Sequence, residues 1–180
     1  MSDNTKHISK FLSLVLRHKP QEIGLTLDQN GWASVSELLT RLNANGSPVT
    51  MDLLEEIVDT NNKKRFAFNE DRTQIRASQG HSIEVDLDLQ ACEPPALLFH
   101  GTAEKNLASI LATGLKKQNR QHVHLSDNTD TAKNVGGRHG KPVVLHVNAA
   151  QMQKDGFIFF LSANQVWLTD EVPPVYLSIP

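Results

Sequence analysis

RFAFNEDRTQIRA, residues 65–77, is the stretch on which the fold turns. Its period is two: FAF and TQIRA read as strands and NEDR as the turn between them, a β-hairpin from Arg65 to Ala77. What precedes it has a different period. Ile8, Phe11, Leu12, Val15 and Leu16 recur at helical spacing and predict an amphipathic helix over 6–17, with Pro20 just beyond its end. Leu25 and Leu27 alternate with polar residues as a short strand, and Asp28 to Gly31 form a turn. Ser34, with Glu37 three residues on, opens a second helix as a capping box. Thr50 opens a third through LLEEIV. Three helices followed by a two-stranded wing are the pattern of a winged-helix lobe, assigned to residues 1–80.

QGHSIEVDLDLQACEPP, from Gln79 to Pro95, then reads as a connector that includes a short strand, with the connector itself assigned to 81–95. Residues 96–180 have another texture. LLFHGT is an apolar strand running into a glycine turn, and EKNLASILATGL is a helix stopped by Gly114. HVHLS is a short strand, TDTAKNV a helix and GGRHGKP a loop. PVVLHV, FIFFLS, VWLTD and VYLSI are further strands. Many short strands with a few small helices imply the α+β class rather than a parallel sheet.

The 180 residues suffice for two compact lobes. Hydrophobic residues make up 39% and charged residues 21%, enough for a core and unlike a disordered chain. A net charge of −2 argues against nonspecific coating of nucleic acid, so any polyanion must meet a local cluster of Arg and Lys. The single cysteine, Cys92, excludes an internal disulfide framework and a cysteine-based zinc site. No apolar run is long enough to span a bilayer, and the expectation is a soluble, cytoplasmic monomer with no membrane partner.

Five stretches carry residues suited to chemistry. In LRHKP, Arg17 and His18 close a helix; they either complement its dipole or line a phosphate pocket. In NNKKRFAF, Lys63, Lys64 and Arg65 open the first wing strand, as a solvated edge or as a contact to nucleic-acid backbone. His100, Gly101 and Thr102 leave an apolar strand, as an ordinary turn or as backbone approaching a ligand closely. Arg120, His122, His124 and Ser126 alternate and share a face if extended. Arg138, His139 and Lys141 sit in a glycine-rich loop that either binds phosphate or is merely flexible. His122 and His124 lack a carboxylate or cysteine at metal-ligand spacing, so no metal is expected.

Taken in order, FLSLVLRHKP, GLTLDQNGWASVSELL, NNKKRFAFNEDRTQIRASQGHSIEVD, LFHGT, HVHLS and VWLTD resemble the NAD-dependent RNA 2′-phosphotransferase family, over about residues 6–178. The resemblance implies an N-terminal winged-helix lobe and a C-terminal ADP-ribosyltransferase-like lobe. It also implies an essential Arg-His-Arg-Arg set, matched here by Arg17, His18, Arg65 and Arg120. On the NAD side it matches His100, Gly101 and Thr102, then His124, Leu125 and Ser126. Where many ADP-ribosyltransferases carry a carboxylate, the family is apolar, and the position here is Val166. Such a carboxylate would repel a phosphate nucleophile, whereas arginines attract and orient it. Arg138 is a further candidate for the NAD diphosphate.

The implied reaction removes an internal 2′-phosphate from RNA by passing it to NAD+, which is consumed. It proceeds through a 2′-phospho-ADP-ribosylated RNA and ends in 2′-hydroxyl RNA, ADP-ribose 1″,2″-cyclic phosphate and nicotinamide. Two alternatives stand beside it. One is an ADP-ribosyltransferase acting on nucleic-acid phosphate ends; the other is a winged-helix regulator, which would want cations on a third helix that instead reads LLEEIVD.

Overall fold

A computed structural model describes residues 2–61 and 63–180. The chain divides into two compact units, Met1–Asp88 and Leu89–Pro180. Helices and sheets are mixed in both, with largely antiparallel short strands, which is the α+β class.

The first unit begins with α1, Asp3–Arg17, capped by the Ser2 hydroxyl on the Thr5 N–H. Its apolar stripe, Ile8, Leu12, Val15 and Leu16, is buried. The pair Lys19-Pro20 ends it, because a residue before proline is driven out of the helical region, and a short 3-10 turn, Pro20–Ile23, follows. No strand forms at Leu25–Leu27, contrary to expectation. The Leu25 N–H is taken by the Pro20 carbonyl at 2.9 Å, which closes a turn.

Then come β1 (Ala33–Ser34), α2 (Val35–Ala44), α3 (Met51–Thr60), β2 (Phe66–Phe68) and β3 (Gln74–Ala77). The hairpin expected over 65–77 pairs Phe66 with Ala77 and Phe68 with Ile75, and β1 adds to its other edge in the order β1-β3-β2. Ser34 caps α2 on the Glu37 N–H, but the Glu37 carboxylate accepts from the Thr26 N–H at 3.3 Å. Leu12, Leu16, Leu38, Leu42, Leu54, Ile57 and Ile75 make one fully buried core. Each such side chain contributes about 1.5–3 kcal/mol of burial.

Residues 81–88, assigned from the sequence to a connector, belong to this unit. Val85 and Leu87 are buried, and Asp86 N–H donates to the Gln29 carbonyl at 2.8 Å. The short strand expected in that connector reduces to one isolated bridge, Ala91 with Phe160.

The second unit contains β4 (Leu98–Ala103), α4 (Leu107–Thr113), β5 (Leu115–Lys116), β6 (Val123–Leu125) and α5 (Thr129–Gly136). These are followed by β7 (Pro142–Val147), α6 (Ala149–Lys154), β8 (Phe159–Leu161), β9 (Trp167–Thr169), β10 (Glu171–Val172) and β11 (Leu177–Ser178). Two three-stranded sheets, β11-β7-β4 and β6-β9-β8, carry the site described below; β10 pairs with β5. Leu98, Val147, Met152 and Phe159 lie at the centre of its core.

The sequence placed Gly101 at a turn, but it lies inside β4, opposite Val144 of β7. Its missing side chain has a packing cause. A Cβ there would stand 1.6 Å from the Ala132 carbonyl oxygen of α5, and a Cβ on Gly136 would stand 2.7 Å from the Thr102 carbonyl oxygen. Two glycines thus let α5 lie directly on β4. The backbone that approaches Gly101 closely is the protein's own.

Candidate functional site

In the first unit, Arg17 closes α1 and His18 is its C-cap, with the His18 N–H on the Leu14 carbonyl. Both side chains are half-buried. Arg65 is half-buried too and follows Lys64, whose φ of 47° puts a lysine in the left-handed region. Such a backbone costs a non-glycine residue about 1–2 kcal/mol and marks an over-determined position. Here the bend between Lys64 and β2 sets the direction in which Arg65 leaves the chain.

Sequence reasoning passed over the segment SQGHS, residues 78–82, and it ties these residues together. Ser78 N–H donates to the Arg65 carbonyl at 2.8 Å, and the Ser78 hydroxyl donates to the Lys64 carbonyl at 3.0 Å. At the other end, Ser82 N–H donates to the Arg17 carbonyl at 3.0 Å. A hydrogen bond of 2.8 Å joins the Ser82 hydroxyl to His18 Nδ1. The sequence assigned its first three residues to the winged-helix lobe and its last two to the connector, with no role for either part. What marked it in the sequence was a glycine and a histidine directly after a strand, a signal too common to decide anything alone.

In the second unit, the HGT and HLS stretches meet. Phe99 and Ser126 exchange two backbone hydrogen bonds, of 2.8 and 2.9 Å, which join β4 to the end of β6. The His100 ring bonds through Nδ1 to the His124 carbonyl at 3.2 Å. A carbonyl only accepts, so Nδ1 carries the proton and Nε2 keeps its lone pair. Burial lowers the His100 pKa, partly opposed by this bond, and keeps the ring neutral near pH 7.

Arg120 Nη1 donates to His124 Nδ1 at 3.3 Å. Burial, then the neighbouring Arg138, pulls the Arg120 pKa below its usual value. Among the described residues neither arginine forms an ion pair with a carboxylate. Two guanidinium groups that repel each other without a carboxylate between them are arranged to receive an anion.

Leu125 pairs with Trp167. The apolar Val166 immediately precedes β9, and its N–H donates to the Ser162 hydroxyl at 3.0 Å. The Ser126 hydroxyl donates to the Asn128 carbonyl and accepts from the Asn128 N–H, fixing the turn into α5. Thr102 is buried in β4 beside Gly136 rather than at a lip. Leu125 is a core residue. His122 leans on the Phe160 ring, 5.7 Å between centroids. The candidate residues thus form two groups, Arg17, His18 and Arg65 in the first unit and His100, Arg120, His124, Ser126, Arg138 and Val166 in the second.

The model of the RNA 2′-phosphotransferase, Tpt1 / KptA family matches residues 3–171. The chain belongs to this family. Among similar phosphotransferase-family proteins is a probable RNA 2′-phosphotransferase of Flavobacterium johnsoniae, 56% identical over 179 residues, which cover 99% of this chain and 98% of the relative. Proteins of the same description from Fusobacterium nucleatum and Rhodopirellula baltica are 52% and 53% identical; the matches cover 98% and 96% of this chain and 99% and 94% of theirs. Membership in the family spans both units, so neither group of candidate residues lies outside it.

Proposed function

We propose that this chain is an NAD+-dependent RNA 2′-phosphotransferase that takes an internal 2′-phosphate from RNA. The observation that carries the NAD+ half of the reading is the junction of β4 with β6. It sets a neutral His100, the Arg120–His124 pair and Arg138 around one strand crossing, a donor set suited to a ribose and a diphosphate. Family membership supports the phosphotransfer half.

In this reading the first unit has the winged-helix form and binds the RNA phosphates through Arg17, His18 and Arg65. The second has the ADP-ribosyltransferase-like form. His100 serves the adenosine-side ribose, with Thr102 as buried support in β4, and His124 and Ser126 the nicotinamide mononucleotide half, with Leu125 as their support. NAD+ supplies an anomeric carbon with nicotinamide as leaving group and performs no hydride transfer.

In the first step a 2′-phosphate oxygen attacks that carbon, the glycosidic bond breaks with its electron pair on nicotinamide, and a 2′-phospho-ADP-ribosylated RNA forms. In the second, the ribose 2″-hydroxyl attacks phosphorus. The bond from phosphorus to the RNA 2′-oxygen breaks, and a proton supplied by His18 or solvent gives the 2′-hydroxyl. ADP-ribose 1″,2″-cyclic phosphate is released. Val166, apolar where a carboxylate would repel the incoming phosphate, fits this nucleophile.

The test is incubation with NAD+ and an oligonucleotide bearing one internal 2′-phosphate. One nicotinamide is expected for each phosphate removed. Phosphate loss at full rate without NAD+ would refute the reading.

A further inference from the structure

The first unit buries a histidine for which the reaction above has no use. His81 is wholly inaccessible, and among the described residues neither ring nitrogen has a hydrogen-bond partner. A neutral imidazole brings one donor and one acceptor, and leaving both unsatisfied in an interior opposes folding. An apolar residue would fill the same space without that penalty. The histidine therefore calls for a cause other than packing.

Its surroundings suggest one. The ring lies in the segment 78–82, whose ends grip the Arg65 and Arg17 carbonyls and the His18 side chain. Gly80, at φ 88°, lies flat beneath the Arg17 guanidinium: a Cβ there would stand 3.5 Å from Arg17 Cζ. On the other side, Gly31 lies against the His81 ring: a Cβ on Gly31 would stand 3.3 Å from His81 Nε2. Five residues thus span the distance between the helix end that carries Arg17 and His18 and Arg65, the residue before β2, and His81 anchors the span in the unit.

We propose that Ser78–Ser82 is a strap that sets the spacing of the phosphate-binding cations, and that His81 is its positioning residue. This deepens the phosphotransferase reading and rests on it. His81 touches no substrate; it acts by holding Arg17 and His18 in register with Arg65. It does so uncharged, since burial first, then Arg17, Arg76 and His18, drives its pKa down to about 4. A charged ring there would add to a cluster that is already positive. A neutral polar ring fills the space beside the guanidinium without adding a rival cation or an anion that would occupy it.

The test uses the full chain with His81→Leu, His81→Asn and Ser82→Ala. His81→Leu removes two unsatisfied buried nitrogens, so a packing role alone would leave the melting temperature unchanged or raised and the RNA kinetics within about threefold of wild type. Positioning instead lowers kcat/KM for a 2′-phosphorylated oligonucleotide by at least about tenfold, while KM for NAD+ stays within about twofold. His81→Asn, still planar and polar, recovers part of the loss. Ser82→Ala, at an exposed position, gives the same selective pattern at about threefold or more. Amide exchange at Ser78 and Ser82 accelerates in His81→Leu, a readout that needs no catalysis. Wild-type exchange and RNA kinetics in a folded His81→Leu overturn the proposal. If that variant does not fold, unchanged RNA kinetics in Ser82→Ala overturn it. A wild-type chain inert on the oligonucleotide would instead refute the functional reading, and the exchange comparison would still decide the strap.

Discussion

Arg65 and Arg120 stand in different local settings. Arg65 leaves a strained bend and is braced by Ser78, while Arg120 lies in the bend before β6 and leans on His124 beside a second arginine. A 2′-phosphate is already a nucleophile, so the first step depends on placement. The second gathers more negative charge on the phosphoryl oxygens and expels an alkoxide, so lost cations should slow it more. Arg65→Ala and Arg120→Ala are each expected to slow the second step about a hundredfold. 2′-Phospho-ADP-ribosylated RNA should then accumulate, visible by gel or mass analysis over time. Lysine at either position should restore only part, because a point charge cannot reproduce a two-pronged fork. Wild-type rates with no intermediate in both alanine variants would show that the pocket is misassigned. His81 gives a second expectation, in stability. Its folded pKa, near 4, lies below the unfolded value of 6.5, so between these pH values the unfolded chain binds the extra proton. Stability therefore falls as pH drops from about 6.5 to 4, by roughly 2–4 kcal/mol from this group. Denaturant titrations across that range should show the acid limb flattened in His81→Leu.

Elements of strong period were legible. The stripe of α1, the Ser34 cap of α2, the hairpin over 65–77 and the stop at Gly114 all followed from local rules, since each is decided by neighbours three or four residues away. What local rules missed depends on distant partners. The two-residue strands β1, β5 and β10 exist only through pairing with chain tens of residues away. The segment 78–82 was given no role because its polar groups are satisfied by carbonyls of Arg65 and Arg17, which no window of sequence contains. Gly101 is the sharpest case. The residue was legible as special, but the thing it approaches is helix α5. A methyl group at Gly101 would overlap the Ala132 backbone, which no rotamer change can relieve. Gly101→Ala should therefore force β4 and α5 apart at about 2–3 kcal/mol or more, beyond ordinary overpacking. Melting should fall by roughly ten degrees or more for a unit of this size. An unchanged melting temperature would mean that the β4–α5 packing is wrong.

At the scale of the molecule, charge is small in sum and uneven in place. The net charge is −2, yet Arg17, His18 and Arg65 gather around one strap, and Arg120 stands beside Arg138 with no carboxylate paired to either among the described residues. The acidic third helix is spoken for differently: Glu55 and Asp59 face Arg72 at 3.6 and 4.0 Å, so α3 presents ion pairs where a groove-reading helix would present cations. Such a molecule suits a few phosphates held at fixed points better than a long polyanion. Substrate choice should follow. Arg17 and Arg65 sit on separate elements joined by a strap of fixed length, which favours a 2′-phosphate with a neighbouring 3′,5′-phosphodiester over an isolated phosphate. An internal 2′-phosphate is therefore expected to turn over at least about tenfold faster, in kcat/KM, than a terminal phosphomonoester on the same oligonucleotide. Nucleophile and leaving group need no Lewis acid in the proposed chemistry, so EDTA should leave that preference and the rate unchanged, whereas omitting NAD+ should abolish both. Hydrolysis of the two phosphates at equal rates, with inorganic phosphate and no cyclic ADP-ribose phosphate among the products, would mark an ordinary phosphatase.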